Sequence, residues 1–201
     1  MPARLVVLVS GTGTNLQALL DACRSPAYGA DVVAVGADRA GTRAVDRARG
    51  AGMPVFELPL SPGADRKAWD AELAHRVGSF DPDLVVLAGF MKLTGPAFLG
   101  RFGGRTVNTH PALSPAFPGT HGPRDALSYG VKVTGATLFV VDEGVDTGPI
   151  IAQTAVPVED DDTAESLHLR IKVAEREMLV TTVGRIARRG LTINGRRVTI
   201  P

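Results

Sequence analysis

Arg4-Leu5-Val6-Val7-Leu8-Val9-Ser10-Gly11-Thr12-Gly13-Thr14-Asn15-Leu16-Gln17-Ala18-Leu19-Leu20 is the stretch that decides the fold. The branched apolar run that ends at Val9 makes residues 4–9 a strand buried on both faces. Leu16, Leu19 and Leu20 then recur at helical spacing, which predicts a helix over 15–24 with Cys23 in step as a packed residue. Small residues turn the chain between the two. A strand that enters a helix through a glycine turn opens a βαβ unit, and the following residues repeat the pattern. A second strand is expected at 31–37, then a helix at 42–51 closed by Gly52 and a short strand at 54–57. A helix at 65–77 and strands at 83–88 and 105–109 follow. This alternation predicts an α/β fold with a doubly wound, mostly parallel sheet and right-handed crossovers.

Beyond residue 110 the texture changes. Pro111, Pro115, Pro118, Gly119, Gly122 and Pro123 make a structured loop, followed by a short helix near 124–128. Two β-rich runs, 132–141 and 150–156, precede one long helix over 163–186, for which Thr163 and Ser166 are candidate caps. Residues 192–198 read as a closing hairpin on an Asn194-Gly195 turn. No repeat or low-complexity tract appears, so 1–201 reads as a single domain.

Composition narrows the function classes. The chain has 201 residues, 44% of them hydrophobic and 21% charged, enough to bury a sizeable core. A net charge of +1 argues against nucleic acid as the main partner. One cysteine excludes an intrachain disulfide and any multi-cysteine metal site. Neither the start, Met1-Pro2-Ala3-Arg4 before five apolar residues, nor any later run reaches the length of a signal core or membrane span. A cytoplasmic protein without a membrane partner is the expectation.

Two places carry chemistry. The first is the Ser10 to Asn15 turn, where free backbone amides and a helix N-terminus offer a phosphate cradle. No lysine follows its glycines as in a Walker loop, and Leu16 stands where a dinucleotide turn has its third glycine. A single terminal phosphate fits; a tight turn that binds nothing is the other reading. The second is Val107-Asn108-Thr109-His110-Pro111. Asn108 and His110 lie two apart on a strand, so they share a face with Cα atoms roughly 6–7 Å apart. They sit at the carboxyl end of that strand, where open α/β sheets place ligands. Asp146 follows 36 residues after His110, in Gly144-Val145-Asp146-Thr147-Gly148. An amide and a protonated imidazole can hold an oxyanion, while the carboxylate fixes the imidazole or collects a proton. Alone, His110 is more often a structural histidine and Asp146 a turn residue; together they point to acyl transfer onto an amine. No metal is expected, because no His-x-x-x-His, His-Glu-x-x-His or clustered carboxylate spacing occurs. His75 and His168 read as packing or surface residues, His121 is left open, and Glu159 to Asp162 reads as a solvated acidic turn.

Asn108-Thr109-His110-Pro111-Ala112-Leu113-Ser114-Pro115 resembles the Asn-x-His-x-Ser-Leu-Leu-Pro motif of folate-dependent formyltransferases, and Val145-Asp146-Thr147-Gly148 resembles their Leu-Asp-x-Gly segment. The Ser10 to Asn15 turn and Leu87-Ala88-Gly89-Phe90-Met91 look most like the members that formylate glycinamide ribonucleotide. The resemblance covers nearly the whole chain. It implies a Rossmann-like formyltransferase fold, a nucleotide-binding first half, and a folate-binding and catalytic second half. The implied small-molecule substrates are glycinamide ribonucleotide and 10-formyltetrahydrofolate, the latter as cosubstrate. Asn108 and His110 would then stabilise an oxyanion, with Asp146 paired to His110. Gly13, Thr14 and Asn15 would hold the substrate phosphate, Arg66 would be a second contact, and Glu175 would meet the ribose or glycinamide end. Gly89, Phe90, Met91, Lys92 and Leu93, with Gly144, Val145 and Asp146, would form the pterin pocket. Lys92 stands where the family often has arginine, and Ala112 and Ser114 depart from the usual Ser and Leu.

Several alternatives stay open. One is a formyltransferase for a sugar nucleotide or methionyl-tRNA, and another a formyltetrahydrofolate hydrolase; the tRNA enzyme and the hydrolase would each be expected to carry a further domain. A non-catalytic nucleotide-binding module would place Asp38 on a ribose. A nucleic-acid binder would use Arg185, Arg188, Arg189, Arg196 and Arg197, which read more simply as solubilising charges. A homodimer is left open too.

Overall fold

A computed structural model describes all 201 residues. Seven strands form the main sheet: β1 (Ala3–Val9), β2 (Ala30–Ala37), β3 (Val55–Glu57), β4 (Leu84–Leu87), β5 (Thr106–His110), β6 (Val133–Val140) and β7 (Ile150–Pro157). Their order is β3-β2-β1-β4-β5-β6-β7. The pairings from β3 to β5 are parallel; β5–β6 and β6–β7 are antiparallel. Strands β6 and β7 are joined by a loop alone, without a crossover helix, so they can only run antiparallel. The winding reverses between β1 and β4, which puts the turns after these two strands side by side. Ser10 Oγ accepts the Met91 N–H at 2.8 Å across that junction.

Alternation along the strands divides the core in two. Leu5, Val7, Val9, Val86, Val107 and Leu138 pack beneath α1 (Thr14–Ala22), α2 (Arg43–Gly50) and α6 (Ala164–Arg189). On the other face, Val6, Leu8, Val85 and Leu87 pack beneath α3 (Arg66–Gly78) and α4 (Pro96–Phe102), through Trp69, Leu73, Val77, Phe98 and Phe102. This second cluster has no buried member from β5, β6 or β7, so on this face that end of the sheet lacks a helical cover. The candidate site occupies it. Cys23 packs beside the first cluster as its register predicts, and burial pushes its thiol up to about 11.

The 26-residue α6 begins with the expected reciprocal cap: Thr163 Oγ1 accepts from Ser166 N and Ser166 Oγ from Thr163 N, and the helix runs three residues past its predicted end. The acidic turn before it is more than solvated. Asp162 has a side chain only 3% exposed and takes Arg170 Nη1 and Ser166 Oγ at 2.7 Å each. Arg170 first, then Ser166 and the Glu159 amide, hold its carboxyl below the usual carboxylate range. A lowered folded value stabilises the protein above the ordinary value of about 4, and that stabilisation is lost as pH falls further. Asp162→Asn is therefore expected to melt below the parent at pH 7, with the gap closing below about pH 4; melting curves across pH check this.

Helix α4 has no counterpart in the sequence reading. Its seven residues are too few for periodicity, and its cap is supplied from α3. Asp70 Oδ1 accepts Gly95 N at 2.6 Å and Oδ2 accepts Ala97 N and Phe98 N at 2.9 and 3.2 Å. A single 3₁₀ turn over Pro26–Tyr28 is likewise additional. Helix α5 (Gly122–Tyr129) and the hairpin of β8 (Thr192–Asn194) with β9 (Arg197–Thr199) lie where the sequence puts them, though the hairpin turns at Gly195-Arg196, one residue past the expected Asn194-Gly195.

Candidate active site

Gly13 stands just before α1 with φ of 71°, and a Cβ there would lie 2.7 Å from Ala44 Cα. Only glycine meets both demands. The turn is braced by Ala44 N donating to Gly11 O at 3.1 Å and Arg47 Nε donating to Thr12 O at 3.0 Å. No side chain caps α1, so the amides of its first turn lack an acceptor within the chain and stand ready for an anion. Asn15 turns inward: its Nδ2 donates to Glu175 Oε1 at 2.6 Å. Thr109 Oγ1 donates to the same oxygen at 2.7 Å. Buried Glu175 on α6 thus joins the turn to the residue between Asn108 and His110. Gly13→Ala is expected to lose roughly 1–3 kcal/mol of stability, and to raise KM for a phosphate-bearing substrate more than for its partner; melting and steady-state kinetics read the two.

Asn108 and His110 project from one face of β5 and Thr109 from the other. His110 is 3% exposed; its Nε2–H donates to Phe117 O at 2.7 Å, and Nδ1 faces Asp146 Oδ2 at 3.3 Å. A carbonyl supplies no proton, so Nε2 carries its own, while Nδ1 lies within ion-pair distance of the carboxylate. Gly119 N donates to the same Asp146 oxygen at 2.8 Å. Both Phe117 (φ 52°) and Asp146 (φ 55°) are left-handed, a conformation costing on the order of 1–3 kcal/mol in a residue other than glycine. Two of the chain's three left-handed residues other than glycine, the third being Asp81, are therefore the ones that hold this imidazole.

These groups line a cavity of about 350 Å³. Gly89, Phe90, Met91, Lys92 and Leu93 form one wall, and Gly144, Val145 and Asp146 another, with Leu87, Phe139 and Val141 as apolar surface between them. Asn108 and His110 stand among them. The size and the mixture of apolar and backbone polar surface suit a flat heteroaromatic ring.

Gly13, Thr14, Asn15, Arg66 and Glu175 are outside that lining. Arg66 donates to the Leu93 carbonyl and lies 4.7 Å over the Trp69 ring, bracing the Gly89–Leu93 wall. Lys92 Nζ lies 3.9 Å from Asp38, whose fully buried carboxylate also has Arg39 at 3.6 Å and receives no hydrogen bond. His121 is exposed at the start of α5, while its neighbours Gly119 and Thr120 reach the cavity. His168, read as a packing or surface residue, lines the cavity. Burial, and then Lys172, lower its pKa, partly opposed by Glu175. The spacing 168, 172, 175 on one helical stripe was the signal that would have found it. Three of the five arginines weighed for nucleic acid are engaged with carbonyls: Arg188 with Tyr28, Arg189 with Pro201, and Arg196 with Thr147 and Gly148. No helix is long and apolar enough to cross a membrane.

Comparison with known proteins gives the family and the fold. The family described as formyl transferase matches residues 3–183. Phosphoribosylglycinamide formyltransferase of Mycobacterium tuberculosis is 57% identical over 199 residues, covering 99% of this chain and 92% of that protein. The enzyme of the same name from Escherichia coli is 40% identical over 171 residues, covering 85% and 81%. Glycinamide ribonucleotide transformylase 1 from Symbiobacterium toebii superposes with a TM-score of 0.95 at 45% identity, over 99% of this chain and 94% of that one. From the match along residues 3–183 and this likeness in sequence and fold, the chain belongs to the formyl transferase family.

Proposed function

We propose that this protein is a phosphoribosylglycinamide formyltransferase, moving a formyl group from 10-formyltetrahydrofolate to the primary amine of glycinamide ribonucleotide. The observation that carries the mechanism is the convergence of Asn108, His110 and Asp146 on the wall of one cavity. The pterin ring lies between Gly89–Leu93 and Gly144–Asp146. The substrate phosphate meets the first-turn amides of α1, and Glu175, whose Oε2 accepts no bond within the chain, meets the ribose or glycinamide end.

The amine nitrogen forms a bond to the formyl carbon, and the carbonyl π pair becomes an oxyanion. Asn108 Nδ2 and the His110 Nε2–H, released from Phe117, stabilise that oxygen. Asp146 keeps the imidazole charged and takes the amine proton through water. Collapse breaks the bond from carbon to the folate nitrogen, which receives the proton. The amine attacks a carbon already activated as an acyl donor, so holding the two reactants together does much of the catalysis. The test incubates the purified protein with both substrates, beside a control lacking the amine. Formylated ribonucleotide should appear only with both present; release of free formate at the same rate without the amine overturns the reading in favour of a hydrolase.

A further inference from the structure

The C-terminal hairpin reaches back to the aspartate loop. Arg196, the second residue of the β8–β9 turn, donates from Nη1 to Thr147 O at 2.6 Å and from Nη2 to Gly148 O at 3.3 Å. Those are the two carbonyls that follow Asp146. We propose that Arg196 is a positioning residue for Asp146, which rests on the catalytic reading of Asp146 given above. A planar guanidinium bridging two successive carbonyls fixes the orientation of the peptide between them, and with it the backbone leaving Asp146. That backbone needs fixing, because Asp146 is left-handed and the residues around it are largely exposed. The loop's internal bonds come from one side chain: Asp142 Oδ1 accepts Gly144 N at 3.1 Å and Thr147 Oγ1 at 2.7 Å. The Asp146 carboxylate is held separately by Gly119.

The hairpin is anchored well enough to act as a strap. Leu191 and Ile200, at its two ends, pack against the larger core cluster, and Arg189 at the end of α6 donates to Pro201 O at 2.9 Å. The two loop carbonyls accept from nothing else outside the regular elements. Arg197, the next residue, is exposed and makes no side-chain bond, so it serves as the control.

The experiment compares Arg196→Ala, Arg196→Lys and Arg197→Ala in the full chain with both substrates, and measures amide hydrogen exchange across residues 142–148. Misplacing Asp146 slightly should lower kcat about tenfold in Arg196→Ala, with KM for the amine substrate within about twofold of the parent. Lysine supplies a point charge in place of the fork, so Arg196→Lys should recover part of the rate, and Arg197→Ala should match the parent. Exchange at 142–148 should quicken in Arg196→Ala while the rest of the sheet stays protected. Parent kcat and parent exchange in Arg196→Ala overturn the proposal. So does loosening spread through the whole protein, which makes the contact merely structural. Asp146→Asn run in parallel separates the two ideas: if it retains turnover, the catalytic reading fails; if it alone loses turnover, only the strap fails.

Discussion

Asp146→Asn lowers kcat by about 10²- to 10⁴-fold while the protein stays folded, the span expected when a positioned acid–base group is removed. The replacement is nearly isosteric, and its amide oxygen can still accept the Gly119 N–H that Asp146 Oδ2 accepts at 2.8 Å. What disappears is charge. A neutral amide facing His110 Nδ1, 3.3 Å away in the parent, neither holds the imidazole as a cation nor accepts a proton from the attacking amine. Both losses act on the transition state, so kcat should fall far more than KM changes for either substrate. The measurement is steady-state kinetics on a variant whose melting temperature matches the parent. Turnover within a few-fold of the parent in such a sample removes Asp146 from the mechanism.

Glu175→Leu tests the other half of the site and should cost stability as well as activity. Its Oε1 accepts both Asn15 Nδ2 and Thr109 Oγ1, at 2.6 and 2.7 Å. Leucine leaves two donors without a partner in a buried setting, each costing about 1–3 kcal/mol, so the sum is about 2–6 kcal/mol. The α1 turn then loses its tether to β5, and KM for the ribonucleotide should rise together with the fall in melting temperature. Glu175→Gln separates the effects. Its oxygen can still accept from both donors, so stability should stay within about 1 kcal/mol of the parent, while the lost charge still weakens substrate binding. Equal melting temperatures for Glu175→Leu and the parent would show that the two bonds are not what holds the turn.

The sheet was legible because its parallel strands are buried on both faces and therefore read as unbroken apolar runs such as the one ending at Val9. Helix α6 was legible from its length and from Thr163 with Ser166. Helix α4 was hidden, because Asp70 caps it from a different helix and local patterns carry no trace of that. At the site, Asn108 and His110 declared themselves by strand alternation. Asp146 stood out only in combination with them, since a turn aspartate has no local mark of catalysis, and the family resemblance then supported the choice. Asn15 was read as a phosphate ligand from its place in the turn, and its bond to Glu175 depends on how α6 docks. Arg196 looked like one more surface charge for the same reason. Its partners are carbonyls, which no side-chain pattern reports.

The bond between Asn15 and Glu175 joins residues 160 positions apart, and this sets a schedule for the molecule's birth. A chain leaving the ribosome folds from its N-terminal end at about 5–20 residues per second. Strand β1 and the glycine turn emerge first, yet Asn15 must wait for the first half of α6 before its acceptor arrives. Through that interval a nascent chain can pair its early strands but has neither an anchored turn nor a braced β5. Competence to bind and react is thus expected to arrive late, once the last long helix docks.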